Sequence, residues 1–465
     1  MSEVSIGKEM LEKLSYKKKN VYEEASAEKI KDILAYAEGY MEYLDLAKTE
    51  REATAVSIKM AEKCGYTEYK FGDALKAGDK KYLNNRGKSL YLFKVGEADI
   101  ETEGIRILAS HIDSPRLDLK QVPMYEDSGM GFMKTHYYGG IKKYQWTAIP
   151  LALHGVIVKN DGTSVNVVIG EDPKDPVFYI NDLLPHLAQK QVVEPLGSAI
   201  SGETLNILIG GLPYDDKEVK DKIKLTALSI LNEKYGIKEE DFLSAELSLV
   251  PAFKARDIGF DRALIGAYGH DDRVCAYPAL TALMDMESPH TVLVVLADKE
   301  ETGSDGITGM QSDILVDIID EISANLNKNG RVVRSKSKCL SADVSAAFDP
   351  NFADVYEKRN SAMLSCGATM NKFTGARGKS STNDASAEFV GFVRRIFNEN
   401  GVIWQTAELG RVDLGGGGTV AKYIANHNIE TVDIGVPVIS MHAPYEVISK
   451  ADLYSTYEAF LAFLK

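Results

Sequence analysis

Thr291-Val292-Leu293-Val294-Val295-Leu296-Ala297 is an uninterrupted apolar run of strand length. A strand with one wet face alternates polar and apolar residues. A run without alternation belongs to a strand buried on both faces, the habit of parallel sheets covered by helices. Its surroundings agree. Residues 276–284 and 312–326 read as helices on either side of it. Further strands are expected over 105–109, 339–344 and 431–438, with another helix over 385–397. Helices alternating with buried strands define an α/β fold, here a doubly wound, mostly parallel sheet.

Upstream, the chain reads as helical. Ser26 is placed to cap a helix carrying Ile30, Ile33, Leu34, Ala37 and Met41 on one face. Thr49-Glu50-Arg51-Glu52 is a capping box, in which hydroxyl and carboxylate satisfy each other's backbone N–H. The helix it opens should stop at Gly65. Between 121 and 253 the texture changes to Gly, Tyr and alternating Val/Ile. Residues 156–165 read as a hairpin turning at Asp161-Gly162, and 217–235 as a helix closed by Gly236. The expected division is a discontinuous catalytic domain, 1–120 and 254–465, interrupted by a β-rich insertion over 121–253. The basic run 331–338 reads as a solvated loop.

The whole chain has 465 residues, too many for one ordinary core. A formal charge of -14 argues against nucleic-acid or anionic-membrane partners, which need a basic face. Cys64, Cys275, Cys339 and Cys366 are scattered and form no CxxC pair, which suits a reducing cytoplasm. No secretory leader is expected in the first 20 residues, and no apolar run is long enough to span a membrane.

The chemistry sits where the strands end. His111 and Asp113 follow 105–109, Glu300 and Glu301 follow 291–297, and Asp343 ends 339–344. His442 follows 431–438, while Asp271 and Asp272 precede the helix 276–284. Any one of these alone reads as a cap or turn residue. Strand C-termini of a parallel sheet share one edge, however, so the five segments meet there. Two imidazoles and several carboxylates without a thiolate suit Zn²⁺, Mn²⁺ or Co²⁺. The surplus of carboxylates points to two metals, which polarise a carbonyl and activate a water. Of Glu300 and Glu301, one can ligate while the other serves as base.

The segments HIDSP (111–115), GHDDR (269–273), DKEETGS (298–304), SADVSAAFDP (341–350) and MHAPYEVIS (441–449) resemble, in order, the metal-site motifs of one family. It is the aspartyl aminopeptidase/aminopeptidase I family of dizinc metallopeptidases. The resemblance implies that His111 and Asp343 bind one Zn²⁺, that Glu301 and His442 bind a second, and that Asp271 bridges them. It makes Glu300 the general base and Asp113 the partner that orients His111. It also implies two Zn²⁺ per subunit, with Co²⁺ or Mn²⁺ as substitutes. The insertion becomes a dimerisation domain, and the assembly a dodecamer with its sites facing an inner chamber. His186 resembles a residue that reaches a neighbouring subunit's site as an oxyanion donor. Relatives commonly carry Asp-Asn where this chain has Asp271-Asp272, which leaves Asp272 as the alternative bridge. Ser345 to Pro350 and Pro444-Tyr445-Glu446 also depart from the eukaryotic pattern, so acidic-residue specificity does not transfer.

Gly415-Gly416-Gly417-Gly418-Thr419 opens a short expected helix but lacks the Lys of a phosphate loop, and reads as a pocket wall or a turn. Lys372, Arg377 and Arg411 are candidates for pairing with a substrate carboxylate. No GxSxG elbow or catalytic Cys–His context is present. The expected function is a cytoplasmic metallo-aminopeptidase acting on peptides. The alternative is a silent oligomeric relative that keeps the fold as a scaffold.

Overall fold

A computed structural model describes residues 5–465. Residues 1–4, part of the stretch read as free of a leader, lie outside the described residues. The fold is mixed α/β with three sheets. The largest has nine strands, in the order Thr67–Glu68, Lys80–Asn85, Ser89–Lys94, Val292–Ala297, Arg106–His111, Lys338–Ser341, Glu430–Gly435, Ala368–Asn371 and Trp404–Thr406. The four strands from Val292–Ala297 to Glu430–Gly435 run parallel. The sheet turns antiparallel where Ser89–Lys94 and Ala368–Asn371 join that central group.

Every residue of Val292–Ala297 is buried, and neighbours along it feed different cores. Val292, Val294 and Leu296 pack with Leu280, Leu283, Phe460 and Phe463 from the helices His270–Asp285 and Lys450–Leu464. Leu293, Val295 and Ala297 pack with Leu315, Ile318, Ile319 and Ile322 of Ile314–Asn325 on the other face. Each large side chain so buried contributes about 1.5–3 kcal/mol. Thus the absence of alternation in the sequence reflects helices on both sides. Ser26 accepts the Lys29 N–H and starts Ala27–Leu46, and Thr49 with Glu52 completes its capping box on Glu50–Lys63.

A seven-stranded antiparallel sheet runs from Arg116–Asp127 to Ala245–Pro251 and has its own core around Trp146, Leu153 and Leu249. Its hairpin of Leu151–Val158 and Ser164–Ile169 turns through Gly162 at a φ of 84°. The helix in this region spans Lys222–Tyr235, shorter at its start than the periodicity suggests.

Two sequence expectations are corrected. Residues 331–338 are not a loop: Asn329 caps the helix Gly330–Lys336, and Val333 anchors it in the core. The strand expected over 431–438 is two strands in different sheets. Glu430–Gly435 stays in the main sheet, while Pro437–Ile439 joins a five-stranded sheet with Arg256–Ile258, Leu264–Ala267, Glu446–Ser449 and Ser345–Ala346. This third sheet flanks the loops described next. Among the described residues no helix is long and apolar enough to cross a membrane.

Candidate metal centre and active site

His111 is the last residue of Arg106–His111, and its ring is almost wholly buried. Its Nδ1 lies 2.9 Å from the Asp113 carbonyl oxygen, which turns Nε2 toward a cluster of carboxylates. Nε2 lies 3.1 Å from Asp271 Oδ1, 3.9 Å from Glu300 Oε2 and 4.0 Å from Asp343 Oδ1. His442 approaches from the opposite side. Its Nδ1 donates to the Gly140 carbonyl at 2.8 Å, and its Nε2 lies 3.2 Å from Asp271 Oδ2 and 3.7 Å from Glu301 Oε2. Each imidazole therefore has one nitrogen fixed by a main-chain oxygen and the other facing carboxylates, the arrangement expected of metal-ligating histidines.

Asp271 and Asp272 sit at the start of His270–Asp285, in a stretch that departs from helical φ/ψ before the regular turns resume. Asp271 spans the two imidazoles with its two oxygens. Asp272 is fully buried, and neither of its oxygens has a hydrogen-bond partner. It stands with His111 and Asp343 in one group of possible ligand atoms, and Asp271, Glu301 and His442 form another.

Asp113 holds the Glu300-Glu301 turn. Its Oδ1 accepts the Glu300 N–H and its Oδ2 the Glu301 N–H, both at 3.2 Å, and the Tyr138 hydroxyl donates to Oδ2 at 2.7 Å. Gly139 has a φ of 76°, and a Cβ there would lie 3.1 Å from Glu301 Oε2. Only glycine combines that conformation with so close an approach.

Burial and crowding set the charges. Burial, reinforced by the neighbouring Asp271 and Asp113, lifts the Glu300 carboxyl to about 7. Burial likewise drives Glu301 and Asp343 well above the usual carboxylate range. Burial opposes charge on His442, yet the Asp271 and Glu301 carboxylates lift it to about 10, and His111 is raised in the same way by Asp113 and Asp271. Asp271 is also buried, but the flanking imidazoles hold it well below its ordinary value. Such a crowd of carboxyls ionises together only beside a cation. Glu301 Oε1 is buried without a partner. Nitrogen and oxygen donors, an orphaned carboxylate oxygen and no thiolate among the donors fit zinc.

Other candidates fall elsewhere. His186 is exposed on the single turn Pro185–Leu187 of the inserted segment, beside Leu183 and Gln191 and outside this chain's cluster. His270 bonds Tyr40 and the Ile265 carbonyl and is packed away from the carboxylates. Gly416 folds against Ala376, and the helix after the glycines, Ala421–Ala425, is only five residues. Lys372 pairs with Asp384. Sequence reasoning did not single out Tyr138, Gly139, Gly140 or a role for Glu446. The Glu446 carboxylate accepts the His442 N–H at 2.7 Å and the Asp271 N–H at 3.1 Å.

Two imidazoles, one buried and one partly exposed, with several carboxylates at the strand ends of an α/β frame, define a metal-dependent hydrolase site. The model of the aminopeptidase I zinc metalloprotease (M18) family matches residues 43–464. A probable M18 family aminopeptidase 1 of Clostridium acetobutylicum is 50% identical over 455 residues, covering 96% of this chain and 98% of that one. The crystal structure of an M18-family aminopeptidase from Thermotoga maritima superposes with a TM-score of 0.93 at 43% identity, covering 97% of this chain and 100% of that one. The mApe1 dodecamer of Saccharomyces cerevisiae shares the fold, with a TM-score of 0.75 at 21% identity over 92% of this chain and 95% of that one. The chain thus belongs to the M18 family of aminopeptidases, zinc metallopeptidases that hydrolyse peptide bonds.

Proposed function

We propose that the chain removes the N-terminal residue of peptides at a two-zinc centre, with His111 and Asp343 holding one ion, Glu301 and His442 the other, and Asp271 shared. The observation that carries this reading is the Asp271 carboxylate, which turns one oxygen to each imidazole, at 3.1 and 3.2 Å. This favours Asp271 over Asp272 as the bridge. Bound there, paired divalent ions polarise the scissile carbonyl and make a water acidic enough to attack it.

The chain's own groups supply the rest. Glu300 takes the water's proton and passes it to the leaving amine, its carboxylate standing 3.9 Å from His111 Nε2 at the cluster. Asp113 keeps His111 turned and the Glu300 main chain in place. His186 of a neighbouring subunit supplies an oxyanion donor. Zn²⁺ is the resident metal, and the same nitrogen and oxygen donors accept Co²⁺ or Mn²⁺.

The doubly wound domain formed by 1–120 and 254–465 carries the catalysis, and 121–253 serves dimerisation within a dodecamer. Exposed Leu184, Leu187, Val192 and Val193 on the insertion support an assembly role, as does the shared fold of the mApe1 dodecamer. Four unpaired cysteines support residence in the reducing cytoplasm. The test is an assay of zinc-reconstituted protein against a panel of aminoacyl chromogenic substrates. Release of the N-terminal residue is expected; a fully metallated protein that releases none is a scaffold.

A further inference from the structure

We infer that Glu446 is a positioning residue, a carboxylate clamp that fixes the spacing of His442 and of the shared ligand Asp271. The inference rests on the two-metal reading above and adds a residue to it.

The geometry follows from strand register. Glu446 opens the strand Glu446–Ser449, and it pairs with Ala267 at the end of Leu264–Ala267. The chain leaving Ala267 reaches Asp271 four residues later, and the chain entering Glu446 left His442 four residues earlier. At this point of the third sheet the two ligand loops therefore lie side by side. The Glu446 side chain, 1% exposed, gives one oxygen to each loop. Its Oε1 accepts the His442 N–H at 2.7 Å and its Oε2 the Asp271 N–H at 3.1 Å.

His442 needs such a hold. It has a φ of 65°, a left-handed conformation that a residue with a side chain adopts only when its surroundings impose it. Glu446 is not itself in the groups of possible ligand atoms, and both its oxygens accept main-chain N–H groups. Asp113 does the same for the other turn, one oxygen to each N–H of Glu300 and Glu301. Two buried carboxylates thus bracket the centre, and each ties together a pair of residues that carry its chemistry. Asp113 serves one element, the turn Glu300–Thr302, whereas Glu446 joins two separate loops whose side chains meet in the cluster.

The substitution Glu446→Gln is nearly isosteric but replaces one acceptor oxygen with an NH₂ group. One of the two N–H groups then faces a donor, and the loops lose their common spacing. Loss of a partner that orients a ligand lowers metal affinity by about 10- to 100-fold. The experiment titrates stripped wild-type and E446Q full-length protein with Co²⁺ and follows the visible absorption. Two binding steps are expected in the wild type. In E446Q both steps weaken, because Asp271 is shared, and the step assigned to His442 and Glu301 weakens more, because it also loses the hold on His442. Two unaltered steps, or two steps weakened equally, overturn the clamp. If the wild type itself binds a single Co²⁺, the two-metal reading fails. In that case, or if E446Q does not fold, hydrogen exchange on metal-free wild type decides the clamp. Protected Asp271 and His442 amides support it; amides exchanging as freely as those of exposed loops overturn it.

Discussion

Asp113 orients His111 through its main chain, with its carbonyl oxygen 2.9 Å from the imidazole Nδ1, while its carboxylate serves the Glu300-Glu301 turn. The carboxylate is not wholly apart from the ring, since its Oδ1 also lies 3.4 Å from Nδ1, and mutation weighs the two contacts against each other. Asp113→Asn leaves the carbonyl in place but presents an NH₂ group to a backbone N–H or to Tyr138. Metal held by His111 should persist, while kcat/KM falls by about 10- to 100-fold because the turn carrying Glu300 is displaced. Zinc content and kinetics measured on the same preparation test this. Equal loss of both would mean that the carboxylate, not the carbonyl, holds the ring.

Glu300→Gln removes the proton acceptor and leaves its neighbours in place. The protein should retain its metals and lose about 10²–10⁴-fold in kcat. Activity close to wild type would remove Glu300 from its role as base.

Asp271→Ala takes the shared carboxylate from both imidazoles at once. Elemental analysis should find the folded variant depleted in metal at both positions. A fully loaded variant would transfer the bridging role to Asp272, whose buried oxygens lack partners.

A separate cluster should contribute to acid stability. Glu171 receives Lys48 Nζ at 2.7 Å, Lys254 Nζ at 2.9 Å and His154 Nε2 at 3.1 Å. Burial opposes its charge, yet these three partners hold its carboxyl at about 2, against an ordinary 4.5. A depressed folded-state value means that the unfolded chain takes up the proton first. The stabilisation is therefore complete above about pH 4.5 and is lost as the pH falls toward 2. Melting temperatures of wild type and Glu171→Gln should differ most above pH 4.5 and converge on acidification. A gap that does not change with pH would contradict the assignment.

The placement of four of the five motifs was legible because each follows an apolar run, and the family because the five resemble, in order, its metal-site motifs. Val292–Ala297 shows itself by lacking alternation, and Glu300-Glu301 follows directly. The third sheet was not legible. Ser345–Ala346 is two residues and Pro437–Ile439 three, too short to show any period. Glu446 went unread for the same reason. Its reach to Asp271 depends on the pairing of Ala267 with Glu446, which no spacing along the chain displays. The helix Gly330–Lys336 was read as a loop because only Val333 is buried among basic neighbours, so no apolar stripe marks it.

The strand Met130–Tyr138 of the antiparallel sheet runs straight into the reactive cluster: Tyr138 bonds Asp113, Gly139 packs on Glu301, and Gly140 secures the His442 ring. The antiparallel sheet is therefore tied directly to the cluster. Excising it would strip one imidazole of its tether and one carboxylate of its hydroxyl partner. A displacement of that ribbon would reach both imidazole and carboxylates through three consecutive residues.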